Sequence, residues 1–399
     1  MTGRIVVVGA SVAGIRAAQA LREKGYQGRI TVLGEETEIP YDRPPLSKEL
    51  LSGSVAEDDI RLTGEGELAL AGIAVRLGVR AVGLDPERRR VLVADGDPVD
   101  YDEVVIATGV RARTLPTDAQ VHTVRTLADI RLLRERLAAG GDLVVIGGGF
   151  IGAEVASTAM GLGTVRATIV EAAPVPFARV LGPEVGELVS GLQIAHGVDM
   201  IAGVGVRQVL RAGQDAVVVL ADGRELTASV VVAGIGCVPN TEWLASAGIP
   251  VADGVVTDEY CRVVAAPGVY AIGDVARWLD PRSGERLRTE HWTNAHQQAE
   301  LVAHNIVHPQ DLRAASKAPY FWSDQHGVRI QMVGHAHEDD EVELVELDGP
   351  RYRRSVALYH RGDELTAAVG FGQPRAISAL RRGWEQRVPV TAARELVAS

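Results

Sequence analysis

Asp142-Leu-Val-Val-Ile-Gly-Gly-Gly-Phe-Ile-Gly-Ala-Glu154 is the stretch from which the rest of the chain can be read. The aliphatic and β-branched run at 143–146 predicts a buried strand. It breaks into Gly147-x-Gly149-x-x-Gly152 and continues as a helical pattern through Met160. Each glycine answers a steric demand. Gly147 permits a tight turn, Gly149 lets a pyrophosphate approach the backbone, and Gly152 lets helix and strand pack closely. Phosphates would then lie on the helix N-terminus, where unpaired N–H groups and the helix dipole favour negative charge. A second strand is expected over residues 167–170, and Glu171 at its end suits the diol of an adenosine ribose.

A similar run opens the chain. Arg4-Ile-Val-Val-Val-Gly9-Ala-Ser11-Val-Ala-Gly14 reads as strand, turn and helix, followed by a strand at 29–33 and the acids Glu35 and Glu36. Ser11 stands where the middle glycine is expected; its small side chain weakens close phosphate approach without blocking it. One such fingerprint also describes an ordinary strand–glycine–helix turn. Two of them, each with strand before, helix after and an acid at the end of the next strand, point to two dinucleotide sites on an α/β framework.

Composition sets the outer limits. At 399 residues the chain has room for two or three domains with their own cores. Hydrophobic residues make up 46% and charged residues 23%, as in ordinary globular proteins. A net charge of −11 argues against a general nucleic-acid binder. No apolar run approaches the ~20 residues that cross a bilayer, and no basic leader with a cleavage site precedes the first strand. Cys237 and Cys261 form no CxxC pair and imply no disulfide framework. A cytoplasmic protein without a metal site is expected.

The remaining segments repeat the strand-and-turn theme. Ile39-Pro-Tyr-Asp-Arg-Pro-Pro-Leu-Ser-Lys48 is a proline-dense turn into a helix, with Ser47 as the expected N-cap. It is either a rigid surface loop or a stiff carrier for the cations Arg43 and Lys48, and spacing alone leaves both open. Strands ending in small-residue turns are expected at Thr108-Gly109, at Gly236 and at Gly273-Asp274. The carboxyl ends of parallel strands are where ligands lie. Asp274, at such a turn, could accept hydrogen bonds from a sugar-like hydroxyl chain. Helices are expected over 125–138 and 183–195, and from near Asn294 after Glu290-His291-Trp292. Tyr320-Phe-Trp-Ser-Asp324 concentrates aromatics in a chain that is only 4% aromatic. The last ~75 residues, with strand-like runs at 352–358 and 365–371 and an Arg/Ala helix, read as a small β-plus-helix domain.

The order of VVVGASVAG, IPYDRPPLSK, VVIATG, VVIGGGFIGAE, ARVLG, GIGCVPNTEWLASAGI, VYAIGDVA, EHWTNAHQQA and PYFWSDQHGVRIQMVG spans essentially the whole chain. It resembles the NADH-dependent, FAD-containing ferredoxin reductases of the oxygenase-coupled type, which serve aromatic-ring dioxygenases and camphor monooxygenase. The resemblance implies a glutathione-reductase-like fold with two Rossmann-like dinucleotide-binding domains. The FAD-binding domain would comprise residues 1–112 and 240–318, with an NADH-binding domain inserted at 113–239. A small α+β C-terminal domain at 319–399 would cover the flavin. By the same resemblance, Gly9, Ser11, Gly14 and Glu35 hold the adenosine half of FAD. Arg43, Lys48, Thr108, Gly109 and Gly273 belong to the flavin site, and Asp274 binds the ribityl chain. Glu290, His291, Trp292 and Trp322 count among the cofactor-binding residues, and the two tryptophans would either wall the ring or form plain core. Gly147, Gly149, Phe150, Ile151, Gly152, Glu171 and Gly236 hold NADH. Lys48 and Glu154 correspond to a catalytic pair that meets close to flavin N5. Without the resemblance these two read as exposed helical charges.

Glu171 bears on cofactor choice. Its carboxylate repels a 2′-phosphate, and Ala172-Ala173-Pro174 brings no arginine; Arg166 and Arg179 are the basic residues within sequence range. NADH is therefore expected over NADPH. The implied reaction moves a hydride from NADH to FAD and single electrons onward to an iron–sulfur ferredoxin feeding an oxygenase. It requires orientation rather than a nucleophile. The positive end of the helix near Asn294 suits the flavin's pyrimidine edge. Arg375, Arg381 and Arg382 either steer an acidic ferredoxin or form a solvated helix face. The absence of a redox cysteine from the PYDRPPLSK segment argues against cysteine-based disulfide or peroxide reduction. Two alternatives share the motifs: an NADH-responsive flavoprotein of the apoptosis-inducing-factor kind, and a non-cysteine NADH oxidase or diaphorase. Monomer and homodimer both stay open.

Overall fold

The structure is a computed structural model that describes residues 3–64, 66–347 and 355–398. It divides into two compact units. One comprises Met1–Asp42, Asp58–Arg111 and Val238–Pro319; the other comprises Arg43–Glu57, Ala112–Cys237 and Tyr320–Ser399.

The first unit is built on a five-stranded parallel sheet in the order Val269–Ala271, Glu103–Ile106, Arg4–Val8, Arg29–Leu33, Ile73–Arg76. Its strands read as continuous apolar runs because both faces are covered. Ile5, Val7, Ile30, Val32 and Val105 face one core, which the helices Val12–Glu23 and Trp292–Val307 cover. Val6, Val8, Val104 and Ile106 face the other, with Leu84, Val91 and Leu244. The chain runs outward from Arg4–Val8 in one direction and then returns to its other side. This strand is the switch point of the sheet.

The second unit carries a four-stranded parallel sheet in the order Asp199–Ala202, Val165–Glu171, Gly141–Ile146, Val230–Ala233. A three-stranded antiparallel sheet, Val206–Ala212, Asp215–Leu220 and Glu225–Ala228, shares a core with it. The C-terminal part is a five-stranded antiparallel sheet in the order Tyr320–Gln325, Val328–Gly334, Glu364–Phe371, Ser355–Arg361, Glu341–Glu346. Two helices, Pro374–Gln386 and Val390–Ala398, follow it. Leu181, Val185, Val189 and Leu192 of the helix Ala178–Ala195 pack on Ile330, Met332, Tyr359, Val369 and Phe371 of that sheet. Of the strand expected at 352–358, residues 352–354 lie outside the described residues.

Three local expectations change. The helix expected from Pro183 starts at Ala178, and Gly182 (φ 71°, ψ 166°) breaks it just before the proline. The helix expected near Asn294 starts at Trp292, with His291 as N-cap. Ser47 is not an N-cap: Pro44–Ser47 forms a 3₁₀ turn, and the short helix Glu49–Ser52 is capped at Lys48. Two consecutive prolines favour the tight turn, because their fixed φ suits it and their missing N–H groups cost nothing there. Among the described residues no helix is long and apolar enough to cross a membrane.

Candidate functional site

In the first unit the glycine turns stand at the carboxyl ends of neighbouring strands. Gly9 has φ +117°, and a Cβ there would lie 2.1 Å from the Ala107 carbonyl oxygen. A Cβ on Gly14 would lie 1.8 Å from the Gly9 oxygen, so this helix and turn tolerate only glycine. Ser11 is the N-cap of the helix Val12–Glu23. On the next strand, the Thr108 hydroxyl donates to the Asn240 carbonyl at 2.8 Å, and the Asn240 amide returns a bond to the Thr108 carbonyl at 2.9 Å. Gly109 beside it has φ +60°. On the strand beyond, Gly273 has φ +71° and its N–H donates to Gln298 Oε1 at 2.8 Å, leaving Asp274 half-buried on the same turn. The Trp292 indole N–H donates to Asp42 Oδ1 at 2.6 Å, and its ring centre lies 3.9 Å from that of His296. Glu290 is exposed and paired with Arg288 at 2.6 Å.

The second unit repeats the geometry. Gly147 has φ +105°, with a hypothetical Cβ 2.4 Å from the Gly234 oxygen. A Cβ on Gly152 would meet the Gly147 oxygen at 2.4 Å and Val145 Cγ1 at 2.9 Å. Gly149 differs. It is the N-cap of the helix Phe150–Leu162, its φ of −87° suits any residue, and a Cβ there would meet nothing within 4 Å. Ile151 is exposed, whereas Phe150 packs its ring on Phe177 and Phe321 at centroid distances of 5.3 and 4.9 Å. Gly236, with φ +88°, accepts the Arg113 N–H at 3.0 Å.

The two units place their acids differently. The Gly147 N–H donates to the Val170 carbonyl and the Gly9 N–H to the Leu33 carbonyl, both at 2.8 Å. Gly34 therefore stands in the first unit where Glu171 stands in the second. A Cβ on Gly34 would come within 2.6 Å of the Ala10 Cβ, and one on Gly148 within 3.1 Å of the Glu171 Cβ. Each turn has room for one side chain at that contact, and the units make opposite choices. The first unit's acids come one and two residues later. Glu35 is exposed and 3.5 Å from Arg80, and Glu36 accepts from the Tyr41 hydroxyl. Glu171 is held instead: its two oxygens accept the Gly148 N–H at 2.7 Å and the Ala173 N–H at 2.8 Å. Arg166 is not in its range. It lies five residues earlier, roughly 16 Å back along the strand, and pairs with Asp142 at 2.9 Å. Arg179 is exposed on the helix Ala178–Ala195.

Lys48 and Glu154 correct the reading of two exposed charges. Their side chains are only 11% and 3% exposed, and Lys48 Nζ lies 2.8 Å from Glu154 Oε2. The Ser47 hydroxyl donates to the same oxygen at 2.5 Å, and the Ser323 hydroxyl donates to Oε1 at 2.6 Å. Arg43 turns to the Arg125 carbonyl. Trp322, on the same strand as Ser323, stacks on Tyr320 at 6.2 Å, and the Arg381 guanidinium lies 5.0 Å over the Tyr320 ring. Of the three C-terminal arginines, Arg375 and Arg382 are exposed and Arg381 is half-buried. Cys261 is buried in the first core, where desolvation pushes its thiol well above the ordinary range. Cys237 is half-buried.

The family model described as Pyridine nucleotide-disulphide oxidoreductase matches residues 3–299, and that described as Reductase C-terminal matches 320–396. The chain belongs to the pyridine nucleotide-disulphide oxidoreductase family. Within that family it is similar to the rubredoxin-NAD(+) reductase of Pseudomonas putida, 36% identical over 94% of this chain and 97% of that one. It is also similar to the ferredoxin–NAD(+) reductase subunit of the benzene 1,2-dioxygenase system of Pseudomonas putida, 37% identical over 97% of this chain and 94% of the other. The reductase in the crystal structure of the covalent putidaredoxin reductase–putidaredoxin complex superposes with a TM-score of 0.92. It is 31% identical, and the match covers 99% of this chain and 98% of that one.

Substitutions at two glycines are expected to separate folding from binding. Gly14→Ala has no room for its methyl group and is expected to yield protein that is misfolded or stripped of flavin. Gly149→Ala has room, and its thermal stability is expected to stay within about 1 kcal/mol of the parent. Its methyl group would stand over the helix N-terminus, so its dissociation constant for NADH is expected to rise about tenfold or more. Thermal melts and NADH titrations of the two variants check both statements.

Proposed function

We propose that this chain is an NADH-oxidising, FAD-containing reductase whose electrons leave to a small iron–sulfur protein of an oxygenase system. The observation that carries this reading is the extent of kinship. Relatives named ferredoxin–NAD(+) and rubredoxin-NAD(+) reductases align over at least 94% of the chain, and the two family models span both glycine turns and the C-terminal part.

The residues present fit two dinucleotides. In the first unit, the tight turn at Gly9, Ser11 and Gly14 sets the N-terminus of the helix Val12–Glu23 at the end of Arg4–Val8, where the pyrophosphate of FAD would lie, with Glu35 placed for its ribose. Thr108, Gly109 and Gly273-Asp274 end the adjoining strands, where the rest of that cofactor would lie. In the second unit, the open space at Gly149 would receive the NADH pyrophosphate, and Glu171 its ribose diol. Bound FAD supplies chemistry that side chains lack, accepting a hydride and releasing electrons one at a time. The chain orients the nucleotides, excludes water and fixes charge. Glu171 is braced by two backbone donors and disfavours a 2′-phosphate. Lys48 and Glu154 would hold a buried cation and carboxylate near the nicotinamide of that NADH.

Anaerobic mixing of the purified yellow protein with NADH, followed by a [2Fe–2S] ferredoxin or a rubredoxin, tests this. Fast bleaching by NADH and fast recovery of colour on adding one of the acceptors is the expected result. Slow bleaching that neither acceptor reverses would replace the reductase with an NADH-responsive protein.

A further inference from the structure

The hydrogen bonds of Glu154 continue well beyond Lys48. Ser323 spends its only hydroxyl proton on Glu154 Oε1 at 2.6 Å, so its oxygen must accept the contact from Gln325 Nε2 at 2.9 Å. That sets the Gln325 amide with its oxygen outward, where Gln193 Nε2 donates at 2.8 Å. The Gln193 oxygen then faces His326 Nε2 at 3.0 Å, and an amide oxygen there requires an imidazole N–H. One carboxylate thus orients two amides and selects the tautomer of a histidine. All members belong to the second unit. Ser323, Gln325, Gln193 and Glu154 are each at most 2% exposed. In such surroundings bonds aligned head to tail strengthen one another, and a break leaves an unpaired buried group.

We propose that Ser323, Gln325 and Gln193 are positioning residues for the Lys48–Glu154 pair, so that the C-terminal segment and the helix Ala178–Ala195 take part in hydride transfer. The proposal rests on the reading above that this pair serves the nicotinamide. Without Ser323, one oxygen of Glu154 is left to Lys48 and Ser47 while the other loses its donor, and the carboxylate turns about its last torsion. With Ser323 the plane is fixed on both sides. Lys48 is fixed in turn, since its other contacts are the Pro44 carbonyl at 3.0 Å and Ser47 Oγ at 3.5 Å. An apolar contact between helix and strand would pack equally well. A buried chain of amides gains orientation rather than stability.

The test uses the flavin-loaded protein and two readouts. In anaerobic stopped flow, Ser323→Ala is expected to bleach with NADH about tenfold more slowly at saturation, with its NADH dissociation constant moved less than about twofold. The double variant S323A/E154Q is expected to bleach at the Glu154→Gln rate, since the serine acts only through the carboxylate. In ¹⁵N-histidine NMR without NADH, His326 is expected as the Nε2–H tautomer in the parent and as a mixture in Gln193→Met, a substitution that leaves Ser323 and Glu154 in place. Normal bleaching in Ser323→Ala beside slow bleaching in Glu154→Gln would overturn the proposal and leave the reductase reading standing. Normal bleaching in both would remove the proposal together with the placement of the pair. Additive losses in the double variant, or an Nδ1–H tautomer in the parent, would also overturn it.

Discussion

Replacing Lys48 by methionine is expected to destabilise the second unit by about 3 kcal/mol, because it leaves a carboxylate that is 3% exposed without its cation. Losses of ~3–5 kcal/mol are usual when one partner of a buried pair is removed. The lower end applies here, since the Ser47 and Ser323 hydroxyls still donate to Glu154. For a unit of this size the melting temperature should fall by roughly 6–12 °C. The double variant K48M/E154Q buries no charge and is expected to regain most of that loss. Its reaction with NADH should not recover: bleaching is expected to stay about a hundredfold slower than in the parent. Thermal melts and stopped-flow bleaching of the same preparations separate the two roles. A loss below about 1 kcal/mol in Lys48→Met would show that water reaches the pair, as it does for exposed ion pairs.

What could be read in the sequence is what local sterics decide. Gly147, Gly149 and Gly152 span six residues, and the contacts that demand or permit a bare backbone at each lie within one strand, turn and helix, apart from the distant Gly234–Ile235 peptide against Gly147. Lys48 and Glu154 were legible as charges and, through resemblance, as a pair. Their burial was not legible, because 106 residues separate them and only folding brings Ser323, 169 residues further on, to the second oxygen. Ser47 shows how a local signal misleads. Serine before Lys-Glu looks like a cap, yet its hydroxyl is committed to Glu154. Arg166 misleads in another way. It is near Glu171 in sequence, but strand geometry carries it to the opposite end of the same strand. The exchange of Ala10–Gly34 for Gly148–Glu171 leaves no signal in either turn alone, because it is a contact between two strand ends.

The same contact supports the second large prediction. The parent is expected to favour NADH over NADPH by about a hundredfold or more in kcat/KM, and Glu171→Ala is expected to bring the two within severalfold. Removing the carboxylate deletes charge-assisted hydrogen bonds to the ribose diol, about 2 kcal/mol or roughly thirtyfold against NADH. It also removes the negative charge that a 2′-phosphate would meet, so efficiency with NADPH should rise. Glu171→Gln distinguishes charge from shape. Both oxygens of Glu171 face backbone donors, Gly148 N–H at 2.7 Å and Ala173 N–H at 2.8 Å. An amide can accept only one of these and turns its NH₂ against the other. Glutamine should therefore disturb the loop and hold NADH no better than alanine does. Steady-state kinetics of the three proteins with both nucleotides checks this. A glutamine variant that keeps the full preference would assign the selection to pocket shape, and equal use of NADPH by the parent would remove Glu171 as the selecting residue.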